Sequence, residues 1–75
     1  MEDIKIVNTN DLGPTIKKYR KEKKITQQEL ADFSSLSRVG VVKFEKREGD
    51  IKLSTLIKIA NLLGFDLVLK KRSDK

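Results

Sequence analysis

The stretch from Thr26 to Glu45, TQQELADFSSLSRVGVVKFE, leaves little choice of fold. It carries two helix starts separated by too few residues for anything but a tight turn. Thr26 is a good N-cap, and Glu29 three residues later completes a capping box. Leu30, Ala31 and Ser34 then make a small inward face that closes at Ser34. Ser35 and Leu36 form the turn, with Leu36 plugging the angle between the helices. Ser37 caps a second helix in which Val41 and Phe44 share the inward side at i and i+3. Arg38, Val39, Val42 and Lys43 are left facing out.

Capped helices with apolar spacing occur in many small helical domains, so the neighbourhood has to narrow the reading. Gln27 sits at the exposed start of its helix, where side-chain and backbone donors meet phosphate. Arg20 and Glu45 each fall on the buried side of their own helix and are expected to neutralise one another. Two helices so joined present the second one to a DNA major groove, with its N-terminal and outer side chains leading.

Arg20, the run TQQELA (Thr26 to Ala31), Leu36-Ser37, Val41, Glu45 and the later LSTLIKIANLLG (Leu53 to Gly64) together resemble the lambda-repressor/Cro-like (XRE-type) helix-turn-helix family over residues 12 to 64. The resemblance implies a mainly α fold, a compact four- to five-helix DNA-binding domain. It implies Arg20–Glu45 as an internal salt bridge and Gln27 on phosphate. Ser37, Arg38, Val39 and Lys43 would then lie towards DNA, with Gly40, Val42, Lys46 and Arg47 on the same surface. Four positions depart from the family pattern. Ser35 stands where the turn usually has Gly, and Gly40 and Val42 stand where the recognition helix usually has polar residues. Lys52 replaces the Ser or Thr cap of the next helix. These departures bear on base preference rather than on fold.

Upstream, Ile4, Ile6 and Val7 around Lys5 read as a short strand or arm. A cap at Asn10 or Asp11 is expected for the first helix, after a less regular turn, because Pro14 belongs in a first turn and disrupts an interior. Leu12, Ile16 and Tyr19/Arg20 supply its buried face, and Lys17, Lys18, Lys21, Lys23 and Lys24 read as a solvated face whose last lysines suit the helix dipole. Phe33 points to solvent on this reading. Gly40 costs roughly 1 kcal/mol relative to Ala in a helix interior and lets the backbone approach another surface closely. Lys46 to Lys52 forms a loop turning at Gly49-Asp50. Leu53, Leu56, Ile57, Ala60 and Leu63 then recur at helical spacing as the expected buried face of a last helix, which Gly64 ends.

After Gly64 the period changes to two. Phe65, Leu67 and Leu69 alternate with Asp66, Val68 and Lys70, the pattern of a strand. A lone strand cannot satisfy its own hydrogen bonds, so it is expected to pair either with Ile4–Val7 or with its counterpart in a second chain. The ending LGFDLVLKKR resembles the HipB-type antitoxins, which implies the second pairing, a C-terminal β-strand across a dimer with Phe65, Leu67, Val68 and Leu69 in the interface. The expected organisation is one domain over 1–75, with its core at 12–64 and a dimerisation strand at 65–71.

Composition removes the alternatives. The chain has 75 residues, enough for one small core. Its 17 basic and 11 acidic residues leave a charge of +6, which suits a polyanionic partner. With no Cys and no His, thiolate metal sites, disulfides and the commonest general base are all absent, so an enzyme is the least favoured class and no cofactor is expected. No apolar run approaches the ~20 residues of a membrane span and no signal peptide precedes the fold, so the expected location is cytoplasmic, at the nucleoid. The leading expectation is a sequence-specific repressor that binds a palindromic double-stranded DNA operator as a homodimer. The HipB resemblance adds a HipA-like kinase toxin as partner. A stand-alone phage-type repressor or restriction controller is the same class without a toxin. The competing class is a protein-interaction module using Phe33 and the exposed valines. The lack of acidic residues between Arg38 and Lys43 argues against it.

Overall fold

The computed structural model describes residues 3–73, which form four α-helices: α1 (Leu12–Glu22), α2 (Gln27–Ser34), α3 (Arg38–Glu45) and α4 (Leu53–Leu63). Met1, Glu2, Asp74 and Lys75, the ends of the expected 1–75 span, lie outside the described residues. A 3-10 turn, Thr9–Asp11, precedes α1, and Asn8 opens it by accepting a hydrogen bond on Oδ1 from Asn10 N at 2.9 Å. Asp11 precedes α1 without a side-chain cap bond. Pro14 falls in the first turn of the helix, where its missing N–H leaves no gap in the ladder.

Local chemistry starts and stops the next two helices. Thr26 Oγ1 accepts from Glu29 N at 3.0 Å while Glu29 Oε1 accepts from Thr26 N at 2.8 Å, a reciprocal capping box. α2 ends at Ser35, which takes up a left-handed conformation (φ 65°) that a glycine would hold without strain. Ser37 then caps α3, accepting from Gly40 N at 2.9 Å. Lys52 starts α4 with no side-chain cap bond, and left-handed Gly64 (φ 84°) closes it.

The core gathers one face of each helix: Ile16 from α1, Leu30 and Ala31 from α2, Val41 and Phe44 from α3, Ile59 and Leu63 from α4. Leu36, half-buried in the turn, packs against this cluster. α1 crosses α3 at Gly13. A β-carbon there would overlap the backbone carbonyl of Phe44, so the two helix backbones touch. That contact fixes where α3 sits.

Two expectations are corrected. α4 buries Ile59, Ala60 and Leu63, with Leu56 and Leu62 half-buried, while Leu53 (65% exposed) and Ile57 (43%) face out. Apolar residues cover well over half of the helix, with Ser54, Lys58 and Asn61 as the polar stripe, so spacing alone allows more than one inward face, and contact with α2 selects the one observed. Nor do residues 65–70 form a strand: none is present among the described residues, Ile4–Val7 included. Phe65 folds back instead, its ring edge-on to Tyr19 of α1 at 4.9 Å between centroids. Leu67, Val68 and Leu69 are exposed, Leu69 completely. A strand needs a neighbouring strand to pair with, and within one chain the segment meets a helix.

Candidate nucleic-acid interface

Glu45, the last residue of α3, is buried and would be costly there without compensation. Arg20 of α1 supplies it. Its Nε donates to Glu45 Oε2 at 2.7 Å and its Nη2 to Oε1 at 3.0 Å, a bidentate pair. Arg20 Nη1 donates to the Ile25 carbonyl at 2.7 Å, tying the loop before α2 to the same group. Gln27 Nε2 is a further donor to Glu45 Oε1, at 3.1 Å. A carboxylate only accepts, so this bond decides which way the Gln27 amide faces. The three elements that frame the surface are thereby locked to one carboxylate. Among the described residues no buried side-chain polar atom lacks a hydrogen-bond partner.

Above this network lies the surface that the sequence singled out. Arg38, Val39 and Lys43 are exposed on the outer side of α3, and Lys46 and Arg47 are exposed just past its end. Arg47 holds a left-handed conformation (φ 68°) there. Val42 and Gly40 are half-buried, so of the two valines Val39 alone stands fully clear. Ser37 is exposed; its oxygen accepts the cap bond, and its hydroxyl proton remains free to donate outward. Gln27 is half-buried and leans towards Glu45 rather than standing free. Phe33 is half exposed on α2.

Two shallow clefts cross the surface. One is lined by Arg38, Val39, Val42, Lys43, Lys46 and Glu48. The other lies between α1 and the starts of α2 and α3, with Lys17, Lys21, Thr26, Gln27, Gln28 and Arg38 around it and Arg20 beneath. Arg38 belongs to both, so they form one basic track. Sequence reasoning missed the α1 share of this track, the Gln27–Glu45 bond and the Gly13 contact. The only signal for the last was a glycine placed early in a helix without a local reason. Among the described residues no group of three or more His, Cys, Asp or Glu side chains is arranged to hold a metal ion. No helix among them is long and apolar enough to cross a membrane.

Residues 16–69 match the protein family described as Helix-turn-helix. The chain is 40% identical over 60 residues to the SPbeta prophage-derived HTH-type transcriptional regulator YonR of Bacillus subtilis (strain 168), covering 77% of this chain and 56% of that protein. It is 39% identical over 56 residues to the immunity repressor protein of Bacillus phage phi105, covering 75% and 39% respectively. The chain thus spans about half the length of the curated relatives it matches. Among solved structures, a chain of the HipA-HipB-O2-O3 complex superposes with a TM-score of 0.74 at 26% identity, over 92% of this chain and 97% of that one.

Proposed function

We propose that this chain, which belongs to the Helix-turn-helix family, is a DNA-binding transcriptional repressor that lays α3 in the major groove of its operator. The observation that carries the reading is the two-sidedness of α3. Val41, Phe44 and Glu45 seat it, while Arg38, Val39 and Lys43 project outward beside Lys46, with Glu48 the one carboxylate lining the same cleft. Arg38 and Lys43 have the donors for guanine O6 and N7, and Val39 suits a thymine methyl. Ser37, Lys46 and Arg47 are assigned to phosphates, as is Gln27 through the second amide hydrogen that its bond to Glu45 does not use; such contacts fix register without reading sequence. Gly40 and Val42 let the helix sit close to the base edges. The cytoplasm, at the nucleoid, is the matching location.

One recognition helix reads only a few base pairs, so the reading includes a homodimer on a palindromic operator. The apolar side chains left uncovered on α4 and along residues 65–71 support it. In this reading Phe65 anchors the segment to α1, and Leu67, Val68 and Leu69 meet a second copy.

The finer role is that of a HipB-like antitoxin that partners a HipA-like kinase toxin and represses its own operon. The likeness to a chain of the HipA-HipB-O2-O3 complex over nearly its whole length supports that reading. The likeness to a phage immunity repressor supports a second one, a stand-alone repressor without a toxin. An electrophoretic shift assay on DNA upstream of its own gene tests the shared claim. A specific shift is the expected result, weakened in Arg38→Ala with its preference relaxed mainly at one base pair per half-site. Co-purification with the product of an adjacent kinase-like gene separates antitoxin from stand-alone repressor.

A further inference from the structure

The α1 side of the cleft between α1 and the starts of α2 and α3 has no place in a two-helix account of DNA reading. Lys17 and Lys21 stand one helical turn apart on α1, on the same face, and both line it. No carboxylate lines it with them. Arg20 forms its floor, with its charge matched by Glu45. The uncompensated charge therefore belongs to Lys17, Lys21 and Arg38.

Other lysines of the same run are placed differently. Lys18 Nζ lies over the Tyr19 ring, 5.3 Å from its centroid. Lys24 sits in the left-handed turn that leads out of α1 (φ 60°). Neither lines the cleft.

An α-helix about 10–12 Å across fills a major groove about 12 Å wide. With α3 in the groove, the sugar-phosphate strands that wall it run along the flanks of α3. The Lys17–Lys21 cleft lies at one such flank, because Arg38, the first residue of α3, lines it. Resting on the DNA-binding reading above, we propose that α1 is part of the interface, with Lys17 and Lys21 holding the DNA backbone beside the half-site, outside the two-helix unit. The contact adds affinity and fixes the tilt of α3, and it carries no base preference.

The test measures binding to a fluorescein-labelled, mixed-sequence duplex of about 30 bp by anisotropy, from about 50 to 200 mM salt. Lys17→Gln/Lys21→Gln is compared with Lys18→Gln/Lys24→Gln, which removes the same charge from the same helix and its turn. The first pair is expected to flatten the slope of log K against log salt by about one per lysine. The second pair is expected to keep the parent slope, as is Lys17→Arg/Lys21→Arg, which restores the charges. Thermal melts establish that every variant is folded at the assay temperature. If both glutamine pairs flatten the slope equally, the inference is overturned while DNA binding by α3 stands. If the parent fails to bind duplex at all, the DNA-binding reading goes first and this inference with it.

Discussion

Arg20 and Ile57 both lie on helices that pack against the core, yet the charged side chain is buried and the apolar one is exposed. The contrast extends to their surroundings. Around Arg20, α1, α2 and α3 meet in a network in which Glu45 takes three donors and the backbones of α1 and α3 touch at Gly13. Around Ile57, apolar side chains of α4 stay in solvent. The first region is complete within one chain. The second has apolar surface to spare, the state expected of a patch that meets another molecule. Polar groups are buried where α3 is held against α1, and apolar groups are exposed on the side of α4 assigned above to the proposed homodimer. Direction matters more than the hydrophobic total.

The sharpest way to break this comparison is Arg20→Ala. Removing one member of a buried pair leaves Glu45 charged and uncompensated, a loss on the order of 3–5 kcal/mol. Adding Glu45→Gln should return part of that loss, because the second change removes the stranded charge. Thermal melts showing Arg20→Ala as stable as the parent would strip the network of its structural role.

Gly13→Ala should come next, at about 3 kcal/mol, the upper end of the range for overpacking. The obstacle is the carbonyl of Phe44, which is backbone and cannot rotate away as a side chain would. Denaturant melts check the loss. Gly40→Ala serves as the contrast, since its new β-carbon would meet Ser37 Oγ at 3.2 Å, a contact that a small shift relieves. A Gly13→Ala variant no worse than Gly40→Ala would mean that α1 and α3 can separate without consequence.

What the sequence displayed of all this follows from the range of each interaction. The capping box at Thr26 and Glu29 and the cap at Ser37 are legible because they join residues three apart. Arg20 and Glu45 are legible as partners because a buried charge demands one. Gly13 is not, since only the crossing of two distant helices gives it a task. The bond from Gln27 to Glu45 is not legible either, because nothing local in the sequence links residues 18 apart. The buried face of α4 is not legible, because seven apolar residues within one helix fit more than one inward stripe. The exposed alternation after Gly64 has the period of a strand, but period does not supply the neighbour that a strand needs.

The apolar region is sharpened by Leu53→Ser/Ile57→Ser. As exposed residues of a single chain they contribute little, within about 0.5 kcal/mol each. As part of a surface covered by a second copy they would also tie stability to protein concentration. The parent is expected to melt higher as its concentration rises, and the double variant is expected to lose that dependence while binding a single half-site normally. Concentration-independent melting of both proteins would leave the exposed side of α4 without the proposed role.

The smallest effect lies inside the well-ordered region, and it runs towards greater stability. Ser35 ends α2 in the left-handed conformation, where a side chain costs roughly 1–2 kcal/mol. Glycine avoids that cost but enlarges the unfolded ensemble, which takes back about 0.4–1 kcal/mol. Ser35→Gly should therefore stabilise by about 0.5 kcal/mol, which for a chain of this size raises Tm by roughly 2–4 °C. Ser35 is exposed, and the bonds that hold the turn come from its backbone N–H and from Leu36 N, both to the Ala31 carbonyl, so the substitution leaves them in place. DNA affinity should not change, because the angle between α2 and α3 is set by those bonds and by Leu36. A fall in Tm would mean that the Ser35 hydroxyl contributes more than its strained backbone costs. A rise in Tm accompanied by weaker DNA binding would mean that the serine holds α3 at an angle that glycine relaxes.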